Sequence, residues 1–263
     1  MLSRNTARFS IMVAGTKGCG KSSFFNNIVG KNIVKEESND EINIYMLNLD
    51  CEGVMQRITF IDTPGFNTEN DQKIQKSILN YIKEQFDAFM TEENKIRRNP
   101  KYEDTRVHCL LYFFPSTGNG MKQTDLHFLQ QVKSLVNIIP VISKADGLVS
   151  SEVAALKDLI REQFKENEIP IFDLENVAIA PQSILDLKLN SMVPFTIING
   201  EDKLKKINHL TIEIDNPHFN DLSSLREVIL SSHLESFINL TSEDLYESYR
   251  TTILEKAMRE NID

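Results

Sequence analysis

Apolar residues along this chain fall into two rhythms. Some come in continuous or alternating runs, as in strands; others recur every third or fourth position, as on one face of a helix. Phe9-Ser10-Ile11-Met12-Val13-Ala14 is apolar enough for a parallel strand covered on both faces. Helical spacing takes over from Ser23 to Ile28, and a polar, charged stretch follows over 30–41. Residues 42–49 alternate as a half-buried strand, 50–53 make a turn, and 54–61 return, so antiparallel strands join the parallel ones. Ile74, Ile78, Ile82, Phe86 and Phe89 stripe a helix over 71–96. Residues 107–114 read as a central strand in which His108 is a packed, hydrogen-bonded side chain. A loop at 115–120, a helix at 125–136 and a strand at 138–142 come next. A charged amphipathic helix at 150–166, a short strand at 169–174 and a last parallel strand at 194–198 complete this part. Beyond Gly200 the pattern changes to a strand at 210–214 and helices at 220–237 and 243–258, the second with a weak capping box at Thr241 and Asp244. The last helix has one apolar face (Leu245, Tyr249, Ile253, Ala257), most simply packed on the domain, with a partner surface as the alternative. This alternation predicts an α/β fold, a doubly wound mixed sheet with functional residues over the C-terminal edge of its strands.

The chemistry sits where that architecture puts it. Gly15-Thr16-Lys17-Gly18-Cys19-Gly20-Lys21-Ser22, between the first strand and the first helix, fits the phosphate-loop pattern G-x-x-x-x-G-K-S/T at every fixed position. Its backbone N–H groups can cradle a polyphosphate, Lys21 can reach the β/γ-phosphates, and Ser22 can ligate Mg²⁺. The helix N-terminus adds positive potential, which extends the candidate contacts to Ser23. It also favours a thiolate at Cys19. A second motif, Asp62-Thr63-Pro64-Gly65, ends the returning strand. Asp62 can hold a water of the Mg²⁺ shell, and Gly65 can bring its N–H close to a γ-phosphate. The third, Ser143-Lys144-Ala145-Asp146, ends another strand. Asp146 can accept from the N1–H and N2–H₂ edge of guanine, which adenine lacks, while the Lys144 stem lies along the base. Asn199 and Gly200 follow the last parallel strand, where backbone groups can meet the base edge.

Composition narrows the field. With 29 basic and 38 acidic residues and a net charge of −9, the chain is a poor general binder of nucleic acid or anionic membranes. Three cysteines, Cys19, Cys51 and Cys109, have no metal-ligand spacing and fit reduced thiols in the cytoplasm. Residues 1–9 lack the apolar core of a signal peptide, and no stretch approaches a membrane span.

The segments between the motifs resemble the septins. The similarity is carried by Tyr81 to Phe86, Lys95 to Arg98, Asp104-Thr105-Arg106-Val107-His108-Cys109-Leu110-Leu111-Tyr112-Phe113 and Gly118 to Asp125. It continues through Val136 to Asp146, Asn216 to Leu222, Leu225-Arg226 and Tyr246 to Arg250, so it spans 9–250. The resemblance implies a short arm at 1–8, a septin-type G domain at 9–200, and a septin unique element with terminal helices at 201–263. It also implies a GTP-binding cytoskeletal subunit, with GTP or GDP and Mg²⁺ as cofactors. Such a subunit assembles with itself or other septins into oligomers and filaments, through alternating interfaces at the nucleotide site and at the termini. The nucleotide is then largely structural. A regulatory GTPase switch that forms no filaments is the alternative.

The chain departs from the family pattern in its first switch loop, at 205 and 209, and in the segments flanking 9–250. Hydrolytic septins carry a threonine in the first switch loop, whereas 30–50 contains none, with Ser38 and Tyr45 the only hydroxyls; hydrolysis is therefore expected to be slow or absent. Ungapped alignment puts Lys205 where the family has an arginine stacked on the base, and His209 where it has an interface tryptophan. A lysine lacks the planar guanidinium, so weaker base clamping or a rearranged interface is expected. Before Phe9 only Arg4 and Arg8 are basic, too few for the family's polybasic segment. With the sequence running only about a helix's length past Arg250, contacts through the termini are expected to rely on the globular domain and not on the usual C-terminal coiled coil.

Overall fold

The structure, a computed structural model, describes residues 8–30, 33–34, 41–51, 54–67, 70–99, 102–117, 119–175, 188–198, 204–207, 210–213 and 220–260. For Cys51, Val54, 204–207 and 210–213 it describes the backbone alone. At its centre runs β1 (Arg8–Gly15), buried almost throughout. β3 (Val54–Asp62) and β4 (Cys109–Pro115) flank it in parallel, and β2 (Asn43–Cys51) pairs antiparallel with β3 at one edge. β5 (Asn137–Ser143) and β6 (Phe195–Ile197) extend the other side, giving a six-stranded order β2-β3-β1-β4-β5-β6. The expected mixed, doubly wound sheet is therefore the one observed.

Strand periodicity divides the core into two layers. Phe9, Ile11 and Val13 point into one, with Phe24 and Phe25 of α1 (Lys21–Val29). Met12 and Ala14 point into the other. There they meet Ile74, Ile78, Ile82 and Phe86 of α2 (Asp71–Glu93), Phe128 and Leu129 of α3 (Gln123–Val132), and Ile160 and Phe164 of α4 (Ser150–Glu166). After the short α5 (Leu189–Met192), the chain adds α6 (Leu222–Glu227), α7 (Leu234–Leu240) and α8 (Tyr246–Glu260). Leu222, Leu225, Ile229 and Phe237 enter the first layer, so α6 and α7 roof the side of the sheet that α1 also covers, whereas Tyr246 at the start of α8 packs into the other layer against α2.

Several elements differ from expectation. Residues 169–174 form no strand: Phe172 N–H donates to the Ile138 carbonyl at 3.0 Å, while Ile169, Phe172 and Leu174 are buried. The apolar run reflects packing, with the Phe172 ring 4.0 Å from that of Phe237, and not a ladder. α3 stops at Val132 because 133–135 tighten into a turn, with Leu135 N–H bonded to the Val132 carbonyl. A strand the pattern did not suggest, β7 (Leu204–Ile207), pairs antiparallel with β8 (Leu210–Glu213). π-helical turns at Val228–Ser232 and Thr241–Leu245 interrupt the C-terminal helices. Thr241 is not a helix cap: its hydroxyl donates to the Phe237 carbonyl at 2.7 Å, and Asn137 Nδ2 donates to that hydroxyl at 3.1 Å, so a group from β5 enters the helix ladder.

His108 is fully buried, as expected; its Nδ1 accepts the Ser10 N–H at 3.0 Å. Its Nε2 lies 3.5 Å from Asp104, which also takes Nε and Nη2 of Arg106 at 2.9 and 2.6 Å. Arg106 in turn donates to Ser242 Oγ at 2.9 Å and lies 3.7 Å over the Phe89 ring, joining the entry to β4, α2 and the approach to α8. Burial acts to raise the Asp104 carboxyl pKa, but His108 and Arg106 outweigh it and hold the group well below its ordinary value. Its ionised form therefore contributes stability at neutral pH that is lost as acid protonates it. Arg106→Ala is expected to cost about 3–5 kcal/mol by urea denaturation, because it strands a desolvated carboxylate; a loss below about 1 kcal/mol would rank the pair as a surface contact.

Candidate functional site

β1 delivers the phosphate-loop motif to the C-terminal edge of the sheet. Gly15 has φ +143°, and a Cβ there would stand 2.3 Å from the Phe113 carbonyl oxygen, so a side chain is excluded. Thr16 to Gly20 curl into α1, which begins at Lys21 with no side-chain cap, leaving first-turn N–H groups for an anion. Lys21 is only 6% exposed, and its ammonium donates to the Gly15 and Thr16 carbonyls at 3.2 and 3.3 Å. Ser22 and Ser23 are half-buried in the first turn.

The second motif locks onto the first through backbone bonds. Phe66 N–H donates to the Gly15 carbonyl at 3.0 Å, and Lys17 N–H donates to the Phe66 carbonyl at 2.9 Å. Between them Gly65 passes so close that a Cβ would sit 2.3 Å from Lys17 Cα. Thr63 Oγ1 donates to the Val13 carbonyl at 2.7 Å. Asp62 accepts Ser22 Oγ at 3.0 Å, while its other oxygen, Oδ1, is buried without a partner. Burial pushes the Asp62 carboxyl up, with Ser22 and Lys21 acting against it. A buried carboxylate oxygen with no donor, beside a hydroxyl and a helix N-terminus, fits a hydrated divalent cation with its phosphate ligand.

Lys144 and Asp146 share this edge. Lys144 is exposed in the left-handed region at φ 57°, its carbonyl accepting Ser116 Oγ at 2.6 Å, and Asp146 lies in the following 3₁₀ turn (Ala145–Gly147). β4 lies between β1 and β5 and is parallel to both, so the third motif ends on the same edge of the sheet as the loop. Cys19 itself corrects an expectation: burial raises its thiol pKa, and Lys21 and Lys144 do not offset that, so the thiolate is disfavoured despite the helix N-terminus. Asn199, Gly200, His209 and Ser38 lie outside the described residues. The backbone of Lys205 lies in β7 opposite Ile212. Three contributors had escaped notice. Thr63 stands inside the second motif, whereas Phe66 and Ser116 act through a backbone bond and a hydroxyl that carry no pattern.

A family model described as Septin matches residues 5–262. The chain belongs to the septin family. It is 50% identical over 262 residues to "Cell division control protein 11" of Encephalitozoon cuniculi (strain GB-M1), covering 97% of this chain and 98% of that one. The crystal structure of Cdc11 from Saccharomyces cerevisiae is 32% identical, with a TM-score of 0.66, and the match covers 94% of this septin and 99% of that chain. A septin GTPase domain from Chlamydomonas reinhardtii shares the fold at a TM-score of 0.71 and 18% identity. As a septin, the protein is a GTP-binding cytoskeletal subunit. Among the described residues no helix is long and apolar enough to cross a membrane.

Gly65→Ala is expected to part Phe66 from the loop and destabilise the protein by about 1–3 kcal/mol, as overpacking does. Denaturation alongside bound-nucleotide content measures both effects. Ionised Asp62 is costly without a cation, and the cost grows as pH rises through its elevated pKa. Asp62→Asn is accordingly expected to raise the Tm of the metal-free septin at neutral pH while weakening Mg²⁺-dependent nucleotide retention. A lower metal-free Tm would contradict the desolvation account.

Proposed function

We propose that this septin holds GTP or GDP with Mg²⁺ at the loop from Gly15 to Ser23, mainly as a structural part of an assembly interface. The observation that carries the reading is the buried, partnerless Asp62 Oδ1 beside Ser22 at the end of a capless helix. Ser22 would ligate the cation, Asp62 would hold one of its waters, and Gly65 would offer its N–H to the γ-phosphate. Bound there, Mg²⁺ would supply charge neutralisation for the phosphates. Lys21 arrives already desolvated, so its charge acts on a phosphate at short range. Lys144 and Asp146 would read guanine, with Asn199 and Gly200 at the base edge and Lys205 beside the base. We read residues 9–200 as the nucleotide domain and 201–263 as the element that follows it.

Partners in this reading are other copies or other septins, at a cytoplasmic division site or cell cortex. The acidic net charge speaks against nucleic acid and against direct membrane binding. Hydrolysis is slow or absent, because no threonine in 30–50 can orient the attacking water.

Purified protein is expected to carry guanine nucleotide, and a preloaded single-turnover assay to release phosphate far more slowly than a threonine-bearing septin; a comparable rate would overturn the structural reading. Asp146→Asn turns an acceptor toward the guanine N–H groups into a partial donor, so GDP affinity should fall by about a hundredfold or more. Negative-stain images at low salt, with and without a partner septin, separate a filament subunit from a soluble switch.

A further inference from the structure

The phosphate loop carries two lysines, Lys17 and Lys21, and the pattern G-x-x-x-x-G-K-S/T accounts only for the second. They are placed differently. Lys21 is buried, and its ammonium is held from within by the Gly15 and Thr16 carbonyls. Lys17 is exposed, and among the described residues its ammonium has neither a hydrogen-bond nor an ion-pair partner.

The backbone fixes where the Lys17 side chain begins. Thr16 and Phe66 form a single parallel bridge, so the ladder between β1 and β3, interrupted over 63–65, resumes for one residue at the loop. Phe66 makes both bonds of that bridge, donating to the Gly15 carbonyl and accepting Lys17 N–H. Gly65 is drawn against Lys17 as a result: a Cβ on Gly65 would stand 2.3 Å from Lys17 Cα and 2.8 Å from Lys17 Cβ. The Lys17 N–H is therefore spent on Phe66 and adds nothing to the N–H groups around a phosphate. What this residue has left to offer is its ammonium, on a stem that starts beside the glycine read here as the γ-phosphate contact.

We propose that Lys17 is a specificity-determining residue for phosphate number: its ammonium pairs with the outer phosphate of a nucleoside triphosphate, so the site holds GTP more tightly than GDP. The inference rests on the reading of this edge as a guanine nucleotide site and deepens it. Lys21 and one divalent cation go further toward neutralising a diphosphate than a triphosphate, which carries additional charge at its outer end. A second ammonium at that end answers the difference. Lysine suits the place because it is a compact charge on a flexible stem whose donors turn in any direction, as an exposed rim requires. Unlike Lys21, Lys17 stays hydrated in the empty protein and gives up that hydration only against an anion.

The test uses the full-length septin stripped of nucleotide, with Mg²⁺ added. It compares affinities for GDP and a non-hydrolysable GTP analogue in wild type, Lys17→Met and Lys17→Arg. Lys17→Met is expected to weaken the triphosphate about tenfold, the low end for a hydrogen bond between charged groups, and GDP by no more than about twofold. Lys17→Arg keeps the charge and should retain most of the preference. Competition by tripolyphosphate against pyrophosphate should lose its ratio in the same way in Lys17→Met, since neither carries a base. The Tm of the nucleotide-free protein should not move, because the substituted side chain is exposed. Should Lys17→Met not fold, Lys17→Gln carries the same readouts. An unchanged ratio would overturn the inference, and so would equal weakening of both nucleotides, which marks a loop defect. A shift that appears only at concentrations where subunits assemble would overturn it too, because Lys17 would then serve a neighbour's nucleotide. A wild type with no preference for GDP over ADP would instead overturn the guanine reading beneath it.

Discussion

The site depends on a buried ammonium. Lys21 is held away from water by two backbone carbonyls, and among the described residues no carboxylate stands within ion-pairing distance of it. Burying a cation this way is costly, and carbonyl dipoles offset only part of the cost. Asp62 mirrors the situation with the opposite charge: one oxygen is satisfied by Ser22 and the other by nothing. Neither group has an ion-pair partner among the described residues. A ligand that is anionic toward Lys21 and cationic toward Asp62 relieves both, so occupancy and folding stability are thermodynamically one quantity here.

The backbone is shaped to keep those charges in place. The bonds between Phe66 and the loop, and the space that Gly65 vacates for Lys17, turn two separate strand ends into one rigid rim. Ser116 does the same for the third motif by holding Lys144 in a left-handed conformation. Rigidity of this kind comes from neighbours several strands apart in sequence, and it fixes the Lys144–Asp146 turn and the loop from Gly15 to Ser22 on one edge of the sheet.

How much of this could be read beforehand follows from what each feature leaves in the residue string. The three motifs are legible because their chemistry demands particular side chains at set spacings, and the central strands because burial on both faces demands continuous apolar runs. Phe66 and Ser116 were not legible, since any residue supplies a backbone N–H and a lone serine marks nothing. The run over 169–174 misled because apolarity reports burial and does not distinguish a ladder from an irregular cover. The π-helical turn at Thr241 was hidden because its cause, Asn137, is a hundred positions away and becomes a neighbour only after folding. Cys19 was misjudged for a related reason: proximity to a helix N-terminus is visible in sequence, whereas the desolvation that outweighs it is not.

The two-layered core has a consequence for how the protein is made. The layer beneath α2, α3 and α4 draws its buried members from residues 12–169, with Tyr246 as the late addition. The opposite layer begins with Phe9 yet needs Leu222 through Phe237 to close. During synthesis one side of the sheet can therefore be sealed while the other waits, exposing the apolar face of β1 and α1 until nearly the whole chain has emerged. That interval is where a nascent subunit is most open to chaperones and to premature association.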